Sequence, residues 1–120
     1  MPKPTVLIVD DHASFRSLAA PMLDAEGFEV VGEAQDGESA LAAAARLRPD
    51  LVLLDVQLPD IDGFEVARRL SLGADGPPVI LTSSRSASDY GTSVAQSPAL
   101  GFIPKDELSP AAVSELFPAG

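Results

Sequence analysis

Residues 51–63, Leu-Val-Leu-Leu-Asp-Val-Gln-Leu-Pro-Asp-Ile-Asp-Gly, restrict the possible folds more than any other stretch. The unbroken apolar run Leu51–Leu54 has no polar alternation and is too short for an amphipathic helix. It reads as a strand buried on both faces, the kind found in parallel sheets covered by helices. The strand stops on an acid, Asp55, and Pro59, Asp60, Asp62 and Gly63 then turn the chain into the next helical period. Open α/β sheets bind their ligands beyond the carboxyl ends of the strands. Asp55 is therefore a candidate site residue as well as a strand terminator.

The rest of the chain repeats the pattern. Thr5–Val9 is a β-branched apolar run ending at Asp10-Asp11, and Phe15, Leu18, Ala19, Met22 and Leu23 share a helical face behind it. Pro21 removes a donor inside that helix and is expected to bend it near Ser17, and Gly27 ends it. Residues 28–33 alternate only partly, which suits an edge strand. Asp36-Gly37-Glu38 opens a second helix with Ala40, Leu41, Ala44 and Leu47 on its packing face, and Phe64, Val66, Ala67 and Leu70 mark a third that ends near Gly73. Val79–Thr82 and Leu100–Ile103 read as strands 4 and 5. Between them, residues 86–98 offer only Ala87, Tyr90 and Val94 as a helical ladder, interrupted by Gly91, Thr92 and Ser93. The last helix has Ser109 as N-cap, Pro110 at its first position and a Leu108–Val113 staple, and Pro118 is expected to stop it. Alternating strands and helices with right-handed crossovers predict a flavodoxin-like (βα)5 doubly wound parallel sheet, order 2-1-3-4-5. No linker or repeat divides residues 1–120, so one domain is expected.

Composition excludes several functions. Eighteen acids against eight bases give a net charge of −10, unfavourable for direct contact with nucleic acid phosphates. The absence of cysteine removes disulfides and thiolate metal sites, and one histidine argues against zinc. No signal-peptide pattern or membrane-length apolar run is present, so a cytoplasmic location is expected.

Parallel strands finish on one edge, where polar groups should converge: Asp10 and Asp11 after strand 1, Asp55 after strand 3, Ser83 after strand 4 and Lys105 after strand 5. Clustered carboxylates repel one another, and a hard divalent cation with oxygen ligands relieves that repulsion; Mg²⁺ fits best. A cation beside a carboxylate, a hydroxyl and a lysine suits phosphoryl transfer, with Asp55 as the nucleophile that becomes an aspartyl phosphate. Thr82, Ser83 and Ser84 are adjacent candidates for the hydroxyl. Strand alternation favours Ser83, setting Thr82 and Ser84 on the opposite side, although Thr82 stays an alternative. His12 reads as a structural or surface residue near the start of the first helix, with contact to the site as the lesser alternative.

Val9-Asp10-Asp11-His12, Leu54-Asp55-Val56-Gln57-Leu58-Pro59 with Gly63, Ile80-Leu81-Thr82-Ser83 and Gly101-Phe102-Ile103-Pro104-Lys105 together resemble the response-regulator receiver domain of two-component signalling. The resemblance covers nearly the whole chain and is nearest to receivers linked to helix-turn-helix domains. It implies a phosphoryl group passed from a histidine kinase or phosphotransfer protein to Asp55. It also implies Mg²⁺ held directly by Asp11 and Asp55, by Asp10 mainly through water, and by the Gln57 backbone carbonyl. Ser83 would bond a phosphoryl oxygen, Lys105 would pair with it, and Phe102 would occupy the aromatic switch position. The face made by helix 4, strand 5 and helix 5 would meet a downstream partner that the sequence does not identify. Pro104 precedes Lys105 here, whereas many receivers place proline after the lysine, so the cis bond often found there is not expected with the same force.

Two rival functions use parts of the same chemistry. A Mg²⁺-dependent phosphatase with an aspartyl nucleophile would need a second acid and a substrate pocket, for which the chain has few residues to spare. A flavodoxin-like cofactor binder would need a Ser/Thr/Gly-rich phosphate cradle after strand 1, where this chain is acidic. A stand-alone receiver is expected over a fragment of a longer regulator.

Overall fold

A computed structural model describes residues 3–73 and 76–117. Five parallel strands, β1 (Thr5–Val9), β2 (Glu29–Ala34), β3 (Leu51–Asp55), β4 (Val79–Ser83) and β5 (Gly101–Pro104), form one sheet in the order β2-β1-β3-β4-β5. The helices are α1 (Ala13–Ala25), α2 (Gly37–Leu47), α3 (Gly63–Ser71), α4 (Ser93–Gln96) and α5 (Pro110–Leu116). Among the described residues, no helix is long and apolar enough to cross a membrane. The pleat sends alternate side chains to opposite faces. Leu7, Val9, Val52, Leu54, Val79 and Leu81 pack with the buried residues of α2 and α3. Val6, Ile8, Leu51, Leu53 and Ile80 pack with Ala19 and Leu23 of α1 and Val113 of α5. The continuous apolar runs in β1, β3 and β4 are thus explained: both faces are covered.

Local chemistry sets most element ends. The Asp36 side chain accepts from Ser39 N–H at 2.8 Å to cap α2, Asp62 accepts from Glu65 N–H at 2.9 Å to cap α3, and Ser109 accepts from Ala112 N–H at 3.0 Å to cap α5. Leu108 and Val113 both join the α1–α5 side of the core, as a hydrophobic staple requires. α1 runs through Pro21 and gives way to Gly27, whose φ of +99° suits glycine.

Several expectations shift. Leu18, assigned to the packing face of α1, is 71% exposed: it lies about 100° of helical rotation from Ala19, beyond the edge of the buried stripe. Ala43 joins Ala40 and Ala44 in the core, while Leu41 and Leu47 are only partly buried. Phe28 is buried just before β2, and that edge strand extends to Ala34. Leu100 precedes β5, 45% exposed, and its N–H donates to the Val79 carbonyl at 2.7 Å. β4 and β5 each reach one residue further, to Ser83 and Pro104. The Lys105–Asp106 bond is trans. Pro118 lies outside the described residues.

The connection from β4 to β5 has no full helix. A 3₁₀ turn (Ala87–Tyr90) leads to Gly91 at φ +61° and then to the four residues of α4, and neither short element buries a residue. Little apolar area is removed from water here, so local opening should cost little. Amide exchange over residues 86–97 is therefore expected to be faster than in α2 and α3. Protection equal to that of α3 would contradict the packing argument.

Candidate functional site

The carboxyl edge of the sheet collects the acids. β1 delivers Asp10, fully buried, whose N–H is held by the Ala34 carbonyl at 3.0 Å. Its Oδ1 accepts from the His12 N–H at 2.8 Å, so Asp10 closes the turn into α1. The Arg16 guanidinium donates to the Asp10 carbonyl and pairs with Glu33 at 2.9 Å, tying α1 to β2 beneath the site. β3 delivers Asp55, 2% exposed, with Oδ1 accepting from Gln57 N–H at 3.1 Å. Asp11 projects from the loop toward solvent. One donor atom from each of Asp10, Asp11, His12 and Asp55 falls within a 4.8 Å span.

Lys105, in the 3₁₀ turn that follows β5, supplies the opposing charge. Its Nζ lies 2.6 Å from Asp10 Oδ2 and 3.4 Å from Asp55 Oδ2, and 4.7 Å from the centre of the Phe15 ring. Burial by itself would lower the lysine pKa, but the Asp10 and Asp55 carboxylates outweigh it and the net shift is upward. Burial pushes Asp55 the other way for an acid, above its ordinary value; Gln57 N–H opposes this, the Asp10 charge adds to it and Lys105 opposes it. Lys105 is shared between two buried acids, and among the described residues no lysine or arginine pairs with Asp11. The set of hard oxygen donors fits a divalent cation such as Mg²⁺, which relieves that repulsion.

The loop after β3 is built to hold Asp55 in place. Gly63 N–H donates to the Val56 carbonyl at 2.7 Å, and a Cβ on Gly63 would overlap the Asp55 carbonyl oxygen. Asp60 accepts from Gly37 N–H at 2.7 Å and Glu38 N–H at 2.9 Å, locking this loop to the start of α2; those two bonds lower its pKa. Gln57 is exposed at the mouth of the site.

Two hydroxyls end β4, both buried. Thr82 is the register partner of Asp55, and alternation from Ile80 gives it the α1–α5 face that Leu51, Leu53 and Asp55 share. Its Oγ1 has no hydrogen-bond partner among the described residues. Ser83 lies one residue nearer the carboxyl edge and takes the other face, with Leu81 and Phe102. The pleat thus sets Thr82, and not Ser83, on the face of Asp55, the reverse of what alternation was expected to give; what favours Ser83 is its place one residue nearer the carboxyl edge. Ser83 Oγ accepts from Arg85 N–H at 3.0 Å and lies 2.5 Å from the Tyr90 hydroxyl. Phe102 is partly buried, its ring centre 6.0 Å from that of Tyr90.

The lesser reading of His12 holds, and two further contacts go beyond the sequence pattern. The His12 ring lies against both acids, Nδ1 at 3.2 Å from Asp10 Oδ1 and 3.0 Å from Asp11 Oδ1. Its position directly after the acid pair was the available signal. The Asp60 anchor and the Tyr90–Ser83 contact join residues far apart in local pattern, and no spacing rule exposes them.

Comparison with known proteins gives a consistent picture. Residues 6–116 match the response regulator receiver domain family. The transcriptional regulatory protein PdtaR of Mycobacterium tuberculosis is 38% identical over 95% of this chain and 53% of its own length. The chain spans about half or less of the curated relatives it matches. The signal receiver domain of the response regulator NarL from Mycobacterium tuberculosis superposes with a TM-score of 0.86 at 31% identity, covering 97% of this chain and 98% of that one. The CheX–CheY–BeF₃–Mg complex from Borrelia burgdorferi contains a similar fold, with a TM-score of 0.81 at 27% identity over 93% of this chain and 84% of that one. With the strand order, the acid cluster and Lys105 all in place, this chain belongs to the response regulator receiver domain family of two-component signalling.

Proposed function

We propose that residues 1–120 act as one phosphoacceptor module that takes a phosphoryl group from a phosphohistidine of a histidine kinase or phosphotransfer protein onto Asp55. The observation that carries this is a buried carboxylate at a strand end, flanked by a lysine at 3.4 Å and by two further acids within the same 4.8 Å cluster. The protein named as a CheX–CheY–BeF₃–Mg complex supports it, since a phosphoryl-like group and Mg²⁺ accompany the same fold there.

Asp55 supplies the attacking oxygen; the new O–P bond forms as the P–N bond breaks, and the imidazole nitrogen leaves with the electron pair. Asp11, Asp55 and the Gln57 carbonyl would hold Mg²⁺, with Asp10 acting through water, and the ion would neutralise charge on the transferred oxygens. Lys105 moves from sharing two carboxylates to pairing with a phosphoryl oxygen. Ser83, nearest the carboxyl edge, donates its hydroxyl to another. Phe102 then turns, and the surface formed by α4, β5 and α5 changes for a downstream protein. The chain assists its own phosphorylation and has no separate substrate, and a charge of −10 disfavours direct nucleic acid contact.

Two measurements test the reading. A small phosphodonor with Mg²⁺ should add one phosphoryl group by intact mass, and a chain that gains none from any of several donors overturns it. Mg²⁺ should also raise the melting temperature of the wild type by mass action on the folded state. Asp11→Ala should lose that response while its metal-free form melts no lower, because one repulsive charge is gone. Equal metal responses in the two proteins would remove Asp11 from the site.

A further inference from the structure

The β4–β5 connection touches the site through one side chain. Among the described residues of 86–97, Tyr90 is the one that packs against the hydrophobic core. Its ring meets Phe64 of α3 edge-on at 5.5 Å and Phe102 of β5 at 6.0 Å, centre to centre. Its hydroxyl lies 2.5 Å from Ser83 Oγ, on a fully buried residue. On either side the segment is loosely held, with a glycine at φ +61° directly after Tyr90 and a cleft of about 280 Å³ between α3 and α4.

We propose that Tyr90 is the positioning residue for the Ser83 hydroxyl, holding it away from Asp55 until a phosphoryl group competes for it. The proposal rests on the reading of Asp55 as phosphoacceptor and adds the element that couples that site to residues 86–97. Ser83 Oγ already accepts from Arg85 N–H at 3.0 Å, so its hydroxyl hydrogen is free to go to one acceptor. In the unmodified protein the Ser83 and Tyr90 hydroxyls share one hydrogen bond of 2.5 Å in which either can donate, and turning Ser83 toward Asp55 breaks it in both cases. An anionic phosphoryl oxygen is the stronger acceptor, since charge-assisted bonds are roughly twice as strong as neutral ones. Once Ser83 turns to it, Tyr90 keeps only its two ring contacts, and the weakly packed segment is freed. By linkage, the Tyr90 hydroxyl must oppose occupancy of Asp55 by as much as occupancy loosens Tyr90.

The test uses beryllofluoride with Mg²⁺ as the phosphoryl mimic, with affinity read by calorimetry. Tyr90→Phe keeps both ring contacts and removes only the hydroxyl. It should bind the mimic about fivefold more tightly, the worth of one net hydrogen bond. In a Ser83→Ala background the same change should have no effect, which a purely structural role for Tyr90 would not produce. Tyr90 is the single tyrosine and the chain has no tryptophan, so intrinsic emission of the wild type reports this contact and should change on saturation. Wild-type affinity in Tyr90→Phe, weaker affinity, an equal gain without Ser83, or an unchanged emission would each overturn the proposal while Asp55 stands. Failure of the wild type to bind the mimic, or binding unaltered by Asp55→Asn, would overturn the reading of Asp55 and this proposal with it.

Discussion

Asp55→Asn is expected to take up no phosphoryl group from a donor and Mg²⁺ that load the wild type, leaving less than roughly 1% of the wild-type extent by intact mass. An amide oxygen in the same place keeps the shape of the site but lacks the charge and nucleophilicity for in-line attack. The variant should fold, because the Gln57 N–H can still donate to the remaining carbonyl oxygen at about the 3.1 Å that Asp55 Oδ1 now occupies. Without metal it should melt at a higher temperature than the wild type near neutral pH. Burial raises the Asp55 pKa above its ordinary value of 3.8, so the folded state favours the protonated acid. The stabilisation that Asp55 can contribute is thus complete below the ordinary value and is lost as pH rises through the raised one. The advantage of Asn over Asp should accordingly narrow as pH falls toward 3.8. Phosphorylation of the Asn variant to the wild-type level would place the acceptor elsewhere. A variant that gains nothing on melting at neutral pH would show that Lys105 already offsets the burial of Asp55.

Gly63→Ala is expected to carry the largest stability loss of any conservative change near the site. The new Cβ would overlap the Asp55 carbonyl oxygen and meet Val56 Cα at 2.7 Å, and both are backbone atoms at the end of a central strand. No side-chain rotation relieves such an overlap; either the start of α3 or the end of β3 has to move. Alanine gains up to about 1 kcal/mol over glycine in helix propensity, against an overpacking cost of about 1–3 kcal/mol or more. A net loss of about 2 kcal/mol would lower the melting temperature by roughly 8 °C in a chain of this length. Movement of the Asp55 carbonyl also displaces its carboxylate, so the Mg²⁺ response should weaken together with stability. Chemical denaturation and metal titration check both. A Gly63→Ala variant as stable and as metal-responsive as the wild type would mean that the α3 start has room to yield.

How the site was legible depends on the range of each interaction. Asp10, Asp11, Asp55 and Lys105 could be placed because a parallel sheet brings every strand's carboxyl end to one edge, and each residue lies at or just beyond the end of an apolar run. For His12 the sequence leaves two readings, since a helix start explains a polar residue there without any contact to the acids. The choice between Thr82 and Ser83 did not follow from alternation. Alternation separates neighbours but does not say which face Asp55 shares, and that depends on the register Asp55–Thr82 across two strands.

From the sequence alone came the element types outside residues 86–98, the capping residues Asp36 and Ser109, the parallel sheet and its order, and the weak apolar face of residues 86–98. All of these depend on periodicity, propensity and chain connectivity within short windows. The tertiary structure alone decided that Leu18 faces solvent, that Asp60 secures α2 and that Lys105 divides itself between Asp10 and Asp55. It alone also set Tyr90 against Ser83. Such facts are distances between side chains on different elements. They are set by how the helices seat on the sheet, and a one-dimensional pattern specifies which face is buried but not which atoms meet there.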